Sequence, residues 1–394
     1  MKRILLVVSV VVSTACAMSE RWCPHEGIES APLLAARSSW FDEILAASKE
    51  QKNIVPVLVI GSGPAGMAAA FAAAQAKLHT VMIAGSELGG QLADAKLVDN
   101  IQTIAPTAGA TIMDQQLERA THAGVTCLSD DEVTRIERAE AGNYFIVHTA
   151  QNRVIHALTI IAATGAGLKR LGVPGEAQYM NKGIFSCAAC DGRESRNKRV
   201  MVLARGPALQ ELLYHLIPLA QHIIVVALPG DKEFVLPHRE NLVRAASVET
   251  LNGVAISEII GDGANVQAVR VVHTATGEKE LIPVSCLFVS LGREPNSRLF
   301  APLAQCTPQG FLELVSRSQT TSCQATSCQA TSCPGIFAAG NVTDSVYKRA
   351  PTAMGDGVKA ACDALLYLRK HGFNQDVAKA LEPYYLLSGP LCIN

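Results

Sequence analysis

One glycine pattern, Gly61-Ser-Gly-Pro-Ala-Gly66, constrains the fold of this chain more than any other feature of the sequence. It follows an apolar stretch, 57–60, that predicts a buried strand, and precedes an alanine-rich stretch, 67–76, that predicts a helix. Residues 80–84 predict the next strand. A strand, a glycine turn and a helix in this order are typical of a β-α-β unit that holds a dinucleotide pyrophosphate at the helix start.

Two further glycine turns predict close approach of the backbone to a large nucleotide. One follows the apolar stretch 160–162 as Ala163-Thr-Gly165, and the other ends the segment Gly335-Ile-Phe-Ala-Ala-Gly-Asn341. They flank a second β-α-β pattern that begins near 200. We therefore expect an α/β fold of two Rossmann-like three-layer domains, in which the second domain interrupts the first. The predicted segments are 54–168 and 298–394 for the first domain, with its C-terminal tail, and 169–297 for the second.

The size and charge of the chain narrow the classes of function. Its 394 residues suffice for two cores of ordinary size. The formal net charge is -1, which gives no electrostatic basis for binding nucleic acid or an anionic membrane. A small molecule or a neutral protein therefore fits better as the substrate than a nucleic acid or a membrane.

Residues 1–17 have the pattern of an export signal. Lys2 and Arg3 precede an apolar run, 4–12, and a small-residue cleavage pattern ends at Ala17. A membrane anchor and lipidation at Cys16 are the weaker alternatives, since the apolar run is shorter than the roughly 20 residues of a spanning helix. We expect an exported protein, in the periplasm, outside the cell or in a secretory lumen. Disulfides persist there, which bears on the 12 cysteines of the chain.

Residues 18–53 match no motif. Within them, Leu33, Ala36, Trp40, Ile44 and Ala47 recur at helical spacing. This spacing predicts an amphipathic helix that docks on the main body or on a partner subunit.

A cysteine pair, Cys187-Ala-Ala-Cys190, lies between the two β-α-β patterns, and Asp191 follows it directly. Two sulfurs at this spacing are close enough to form a disulfide, and an adjacent carboxyl group can move a proton. Half of a zinc site is the alternative, but it requires a second pair of ligands and the sequence has no other CxxC. Near the C-terminus, His371 is a weaker candidate for the acid.

The ordered motifs resemble those of the low-molecular-weight, bacterial-type thioredoxin reductases, class II flavoproteins of the pyridine nucleotide-disulfide oxidoreductases. The resemblance extends from Val55 to about Leu368. The matching stretches are Gly61–Gly66, Gly89-Gly-Gln-Leu92 with Asn100, Ala163-Thr-Gly165, Val173-Pro-Gly-Glu176, Cys187–Gly192, Leu291-Gly-Arg-Glu-Pro-Asn296, Gly335–Val342 and Tyr347–Gly357.

This resemblance implies bound FAD, a homodimer and a thioredoxin-like protein or a small dithiol or disulfide as substrate. It also implies that Cys190 faces the flavin and Cys187 exchanges with the substrate. The FAD-binding residues that it implies are Gly61, Gly63, Pro64, Ala65, Gly66, Gly90, Gln91, Leu92, Asn100, Thr164, Gly165, Gly340, Asn341, Lys348, Arg349 and Ala350. Asn341 replaces the aspartate usual in the family, so it keeps a hydrogen-bonding carbonyl and loses a charge.

The second glycine pattern departs from the family where NADPH would bind. Ala204 occupies the position of the first glycine, and Leu209 the position at which a small residue lets helix and strand meet. In the same ungapped register, Ala227-Leu-Pro-Gly230 replaces the arginine-bearing signature that holds the 2′-phosphate. A change to NAD is not indicated, because Asp231 comes too late in the loop. The pattern predicts a damaged NADPH site.

A tandem five-residue unit, Thr321-Ser-Cys-Gln-Ala, repeats up to Cys333. Cys323, Cys328 and Cys333 are candidates for a metal site or an electron relay, but a tolerated expansion of a surface loop is the simpler interpretation. Cys392 in the tail is expected to be incidental or to pair in a structural disulfide. No metal site is predicted.

Together these features predict an exported FAD-dependent thiol-disulfide oxidoreductase for which NADPH is a doubtful electron source. The alternatives are an orthodox NADPH-dependent thioredoxin reductase and a flavin-binding scaffold without turnover. The sequence leaves the substrate and the direction of electron flow open.

Overall fold

The computed structural model describes residues 44, 53–102, 104–139, 144–227, 247–315, 329–343 and 346–386. The strands within these ranges are β1 Ile54–Ile60, β2 Thr80–Gly85, β3 Thr126–Ser129, β4 Val133–Arg138, β5 Phe145–Thr149, β6 Val154–Ala162, β7 Ala166–Leu168, β8 Ile184–Phe185, β9 Arg199–Ala204, β10 His222–Val226, β11 Ser247–Leu251, β12 Val254–Gly261, β13 Val266–His273, β14 Lys279–Pro283, β15 Cys286–Ser290, β16 Arg293–Pro295 and β17 Ile336–Ala338. The α-helices are α1 Pro64–Gln75, α2 Gly109–His122, α3 Glu176–Tyr179, α4 Ala188–Asp191, α5 Gly206–Leu216, α6 Ala350–Lys370 and α7 Gln375–Leu381.

The first sheet has the strand order β3-β2-β1-β6-β5-β4, and β17 pairs with the end of β6. Strands β3, β2, β1, β6 and β17 are parallel, while β4 and β5 add an antiparallel hairpin. Because β17 lies more than a hundred residues after β6, the chain leaves this sheet and returns to it. This confirms the predicted interruption of the first domain, whereas its exact boundaries stay a prediction.

The second sheet, β11-β10-β9-β15-β8, is parallel throughout. Helix α5 buries Leu209, Leu212 and Leu216 against one face of it. The antiparallel strands β12 to β14 cover the other face with an apolar cluster that includes Ile259 and Val269. The predicted second three-layer α/β unit is thereby confirmed.

Helices α1 and α6 pack together on one face of the first sheet, at a distance that glycine sets. A Cβ atom on Gly357 of α6 would lie 2.1 Å from the carbonyl oxygen of Ala65 in α1. Ile44 is helical and fully buried in the same apolar cluster. It is the one described residue of the predicted amphipathic helix, and the rest of that helix and the predicted signal lie outside the described residues.

The predicted elements of the first unit agree with β1, α1 and β2 to within a few residues. Helix α5 ends at Leu216, two residues before Pro218. No helix within the described part of the chain has the length and apolar character needed to cross a membrane.

Candidate functional site

The first glycine turn brings helix α1 unusually close to the sheet. Gly61 has a φ of +108°, and a Cβ atom there would lie 2.4 Å from the carbonyl oxygen of Ala163. A Cβ atom on Gly66 would lie 1.9 Å from the carbonyl oxygen of Gly61. Any side chain at either position would force strand and helix apart.

Gly63 differs from these two glycines because it borders open space. Its φ is -64°, which any residue adopts, and a Cβ atom there would have no neighbour within 4 Å. It precedes the first turn of α1, whose N-terminus carries no side-chain cap. The turn therefore presents free helix amides beside an open space, which is the arrangement that a pyrophosphate requires.

Ser62 holds this turn against the loop that follows β2. Its hydroxyl donates to the carbonyl oxygen of Ala84 at 3.2 Å and accepts from the amide of Gly89 at 3.2 Å. Gly90 then packs on Gly63, since a Cβ atom on Gly90 would lie 3.1 Å from the Gly63 Cα atom. The sequence interpretation missed Ser62, although its place inside the glycine pattern was the available signal.

Gln91 is held at both ends of its side chain by the two-stranded ribbon of β7 and β16. Its Nε2 donates to the carbonyl oxygen of Ala166 at 2.7 Å, and Arg293 donates to its Oε1 at 2.5 Å. Arg293 also donates to Ala166 at 3.2 Å, and burial lowers the pKa of its guanidinium. The sequence interpretation placed Arg293 in a matching motif without assigning it to the site.

Thr164 belongs to the same corner of the molecule. Its hydroxyl donates to the carbonyl oxygen of Asn296 at 2.7 Å, and the Asn296 amide donates back to the Thr164 carbonyl at 2.8 Å. These bonds fix the turn after β6, where Gly165 has a φ of +71°.

The turns that contain Gly63, Gly90 and Gly340 pack together, and we call them the nucleotide cradle. Asn341 provides the clearest sign that this cradle is built for a ligand. Its Oδ1 atom is buried and has no hydrogen-bond partner among the described residues. Buried polar atoms are nearly always hydrogen-bonded, so an orphaned acceptor indicates a donor that a bound molecule would supply. Gly340 beside it packs on Ala65, and helix α6 begins at Ala350 without a side-chain cap on its N-terminus.

The other predicted cofactor-binding residues lie in these turns or in the loops and helices next to them. Pro64 and Ala65 form the first turn of α1, and Leu92 ends the short 3-10 helix that starts at Gly90. Asn100 and Lys348 are exposed in loops, and Arg349 precedes α6 and pairs with Glu211 of α5 at 3.0 Å.

The cysteine pair forms a disulfide at the start of α4. The Cα atoms of Cys187 and Cys190 are 5.3 Å apart, and the Cys190 amide donates to the Cys187 sulfur at 3.2 Å. Cys187 is half-buried and Cys190 is exposed. Which sulfur exchanges with substrate stays a prediction.

Asp191 ends the same short helix and is half-buried. Desolvation raises the pKa of its carboxyl, the charge of Lys96 opposes that shift and Glu194 adds to it. Two residues on, Arg193 pairs with Asp99 at 3.8 Å. The disulfide segment therefore faces the loop that follows the 3-10 helix of the cradle, next to Asn100.

The turn after β9 differs physically from the turn after β1. Ala204 is the last residue of β9, where it pairs with Ser290, and its side chain is buried. Leu209 is buried in the core of the second unit. Gly206, which aligns with Gly63, has a φ of +51°, and a Cβ atom there would have no neighbour within 4 Å, so this part of the second turn stays open.

The structure corrects one expectation about the cysteine repeat. Cys333 is buried in the apolar core at 5% exposure, so it does not lie in a surface loop. Cys323, Cys328 and Cys392 lie outside the described residues. His371 is exposed and its Nδ1 bonds the carbonyl oxygen of Tyr367, as expected of a satisfied surface residue. Within the described ranges, no group of three or more His, Cys, Asp or Glu residues is arranged to hold a metal ion.

Comparisons with known proteins agree with this geometry. The model of the pyridine nucleotide-disulphide oxidoreductase family matches residues 55–357. A thioredoxin reductase of Coxiella burnetii is 33% identical over 328 residues, which cover 79% of this chain and 96% of that protein. The crystal structure of thioredoxin reductase from Streptococcus pyogenes has a TM-score of 0.69 and 27% identity, covering 81% of this chain and all of that one. The thioredoxin reductase structure from Giardia duodenalis has a TM-score of 0.68 and 28% identity, covering 80% of this chain and 99% of that one. The chain therefore belongs to the pyridine nucleotide-disulphide oxidoreductase family, as a flavin-dependent disulfide oxidoreductase of the thioredoxin reductase type.

Proposed function

We propose that this protein is an FAD-dependent thiol-disulfide oxidoreductase whose redox couple is Cys187 and Cys190, with Asp191 as its acid and base. The observation that carries the proposal is the position of the disulfide. It begins a helix that ends at Asp191, and the Arg193–Asp99 ion pair fastens its segment to the loop of the nucleotide cradle.

The cradle fits FAD. Gly63 borders open space, and the N-termini of helices α1 and α6 carry no side-chain caps. The Oδ1 atom of Asn341 is a buried hydrogen-bond acceptor that has no partner among the described residues. FAD, when bound, carries two electrons between the thiol pair and a second reactant.

The thiol chemistry follows from the residues of α4. When a dithiol substrate is oxidised, a substrate thiolate attacks one sulfur of the Cys187–Cys190 disulfide and the other cysteine leaves as a thiolate. The second substrate thiol then attacks the substrate sulfur of the mixed disulfide and releases the bound cysteine. The substrate thereby gives two electrons to the cysteine pair and loses two protons. Asp191 can hold one of these protons, because its raised pKa brings its carboxyl closer to the working pH.

We further propose that NADPH is not the electron source. Ala204 and Leu209 place buried side chains at the two positions where, in the first turn, Gly61 and Gly66 let the backbone approach too closely for any side chain. The second turn therefore lacks the close approach of helix to strand that Gly61 and Gly66 allow, although Gly206 borders open space as Gly63 does. Residues 228–230, where the arginine signature is replaced, lie outside the described residues.

The partner, the compartment and the assembly follow as proposals from the sequence. The substrate is a thioredoxin-like disulfide protein or a small dithiol or disulfide. The protein is exported through its N-terminal signal, and it acts as a homodimer. Either direction of electron flow, to oxygen or from another donor, is compatible with the site.

An anaerobic flavin spectrum tests the electron source. We expect NADPH and NADH at millimolar concentration to leave the flavin oxidised, and dithiothreitol to bleach it. Cys187→Ser and Cys190→Ser should each abolish bleaching by dithiothreitol and leave FAD content unchanged.

An orthodox reductase gives the opposite result. Rapid and saturable bleaching by NADPH, coupled to reduction of a thioredoxin-like disulfide, would contradict the proposal and favour the activity for which the Coxiella burnetii relative is named. Bleaching by neither NADPH nor dithiothreitol would favour a scaffold without turnover.

A further inference from the structure

Both crossings of the chain between the two main sheets run through one short ribbon. Strand β7 follows β6 of the first sheet, and β16 follows β15 of the second sheet. The two strands pair in an antiparallel arrangement, in which Arg293 of β16 lies opposite Leu168 of β7. Arg293 therefore stands on the connection between the two units.

Three hydrogen bonds join this ribbon to Gln91, which follows Gly90 of the nucleotide cradle. The Nε2 atom of Gln91 donates to the carbonyl oxygen of Ala166 in β7 at 2.7 Å. The Nη1 atom of Arg293 donates to the Oε1 atom of Gln91 at 2.5 Å and to the same Ala166 carbonyl oxygen at 3.2 Å. The side-chain amide, the guanidinium and the carbonyl group thus form a closed triangle, in which each bond restrains the other two.

This triangle determines which way the Gln91 amide faces. A glutamine amide can turn by 180° with little change of shape, and the turn exchanges its donor and its acceptor. Arg293 has only donors and the Ala166 carbonyl oxygen is only an acceptor, so a turned amide would set N–H against N–H and oxygen against oxygen. In the orientation that the triangle holds, Ala166 uses one of the two Nε2–H groups. The other Nε2–H group remains a donor toward a ligand.

The surroundings of Arg293 favour its bond to Gln91. Its side chain is half-buried, and burial lowers the pKa of its guanidinium. No carboxylate pairs with it in the part of the chain that the structure describes, so none competes with the Gln91 oxygen for its Nη1 donors. Hydrogen bonds from a charged group are also stronger than those between neutral groups.

We propose that Arg293 is a positioning residue of the FAD site and that it acts through Gln91. It holds the Gln91 amide so that an N–H group, rather than the carbonyl oxygen, is offered to an acceptor atom of FAD. Because Arg293 lies on the ribbon, FAD binding and the pairing of β7 with β16 stabilise each other. This inference rests on the proposed FAD cradle.

The dissociation constant of FAD, measured by titrating the flavin-stripped full-length protein, tests this role. Arg293→Met lets the Gln91 amide turn and should weaken FAD binding roughly two- to tenfold. Arg293→Lys should recover at least half of that loss, because a single nitrogen makes both bonds of Arg293 and an ammonium group also has only donors. Arg298→Met removes an exposed arginine just after β16, so it controls for net charge and should bind FAD as the wild type does.

A double-mutant cycle separates action through Gln91 from a direct effect of the Arg293 charge on FAD. Gln91→Leu removes the amide and should weaken FAD binding at least as much as Arg293→Met does. Adding Arg293→Met to Gln91→Leu should cause no further loss. If the two losses multiply, Arg293 acts on FAD independently of Gln91 and the inference is wrong.

Hydrogen exchange of the ribbon amides gives a readout that a merely structural role would not move. Saturating FAD should slow the exchange of residues 166–168 in the wild type and in Arg298→Met, and should slow it less in Arg293→Met. Lower thermal stability of flavin-stripped Arg293→Met, with FAD affinity and FAD-dependent protection unchanged, would show a structural role only and overturn the inference.

Failure of this inference is distinguishable from failure of the proposed FAD cradle. If Arg293→Met and Gln91→Leu bind FAD as the wild type does while Gly63→Val is purified without flavin, the cradle stands and the role of Arg293 is refuted. If Gly63→Val also keeps stoichiometric FAD, the cradle itself is misplaced and the inference is refuted with it.

Discussion

Two glycines of one pattern, Gly63 and Gly66, should lose FAD for different physical reasons when each is changed to alanine. A methyl group at Gly63 meets no atom of the protein within 4 Å, and the backbone φ of -64° suits alanine. We expect Gly63→Ala to change the free energy of unfolding of the FAD-stripped protein by less than about 1 kcal/mol. The methyl group would instead occupy the space that we assign to the FAD pyrophosphate.

The expected loss of affinity follows from the cost of inserting a group into a filled site. Overpacking of this kind costs about 1–3 kcal/mol. Gly63→Ala should therefore bind FAD roughly 5- to 150-fold more weakly. Gly63→Val, which adds more atoms at the same point, should be purified without flavin.

Gly66→Ala is the matched comparison. Its Cβ atom would lie 1.9 Å from the carbonyl oxygen of Gly61, so the strand and the helix must separate. We expect the FAD-stripped variant to be destabilised by about 1–3 kcal/mol or more. Flavin should be lost as a consequence.

Two measurements on each variant separate these effects. The ratio of FAD to protein and the FAD dissociation constant report the site, and thermal unfolding of the FAD-stripped protein reports the fold. Stoichiometric FAD in Gly63→Val would show that the pyrophosphate lies elsewhere. Wild-type stability of FAD-stripped Gly66→Ala would show that the close contact is not required.

Four further predictions concern thiols and protons. Cys187→Ser should leave Cys190 as a thiolate beside the flavin and produce a long-wavelength absorbance band that Cys190→Ser lacks; equal bands in both variants would void the assignment of roles. Asp191→Asn should slow turnover by about 10²–10⁴-fold with FAD content intact. The pKa of Asp191 is raised in the folded protein, so ionisation of its carboxyl opposes folding. Asp191→Asn should therefore be more thermally stable than wild type at pH values above about 4, and should lose that advantage at lower pH. A difference in Tm that stays constant across pH would refute the shift. Cys286, whose pKa burial raises to about 11, should be alkylated far more slowly in the native protein than the exposed Cys362, and comparable labelling rates would contradict its burial.

The sequence predicts the nucleotide-binding unit well because local signals agree there. The apolar run of β1, the glycine turn and the alanine-rich helix α1 each specify their own element, and the structure places all three as expected. The return of the chain to the first sheet was also predictable, since the glycine turns before Asn341 and after β6 both indicate approach to one nucleotide.

Long-range side-chain contacts were not predictable in the same way. Arg293 reaches Gln91 across 202 positions of sequence, and no local pattern indicates that pairing. Cys333 looked like part of a repetitive surface loop, because composition alone cannot show that Thr331 and Gln329 beside it are buried and hydrogen-bonded. The ion pair of Asp99 and Arg193 likewise depends on how two separate segments meet.

The two glycine turns, compared directly, connect the proposed electron source to the position of the disulfide. In the first turn, Gly61 and Gly66 allow contacts that no side chain permits, while in the second, Ala204 and Leu209 are buried side chains. A nicotinamide nucleotide would require the second unit to bind pyrophosphate at a turn without this close approach. If the second unit binds no nicotinamide nucleotide, a nicotinamide never has to take the place of the disulfide beside the flavin. The disulfide can then keep its position throughout the reaction. Under that condition, charge pairs such as Asp99–Arg193 stabilise the working arrangement rather than oppose a necessary movement.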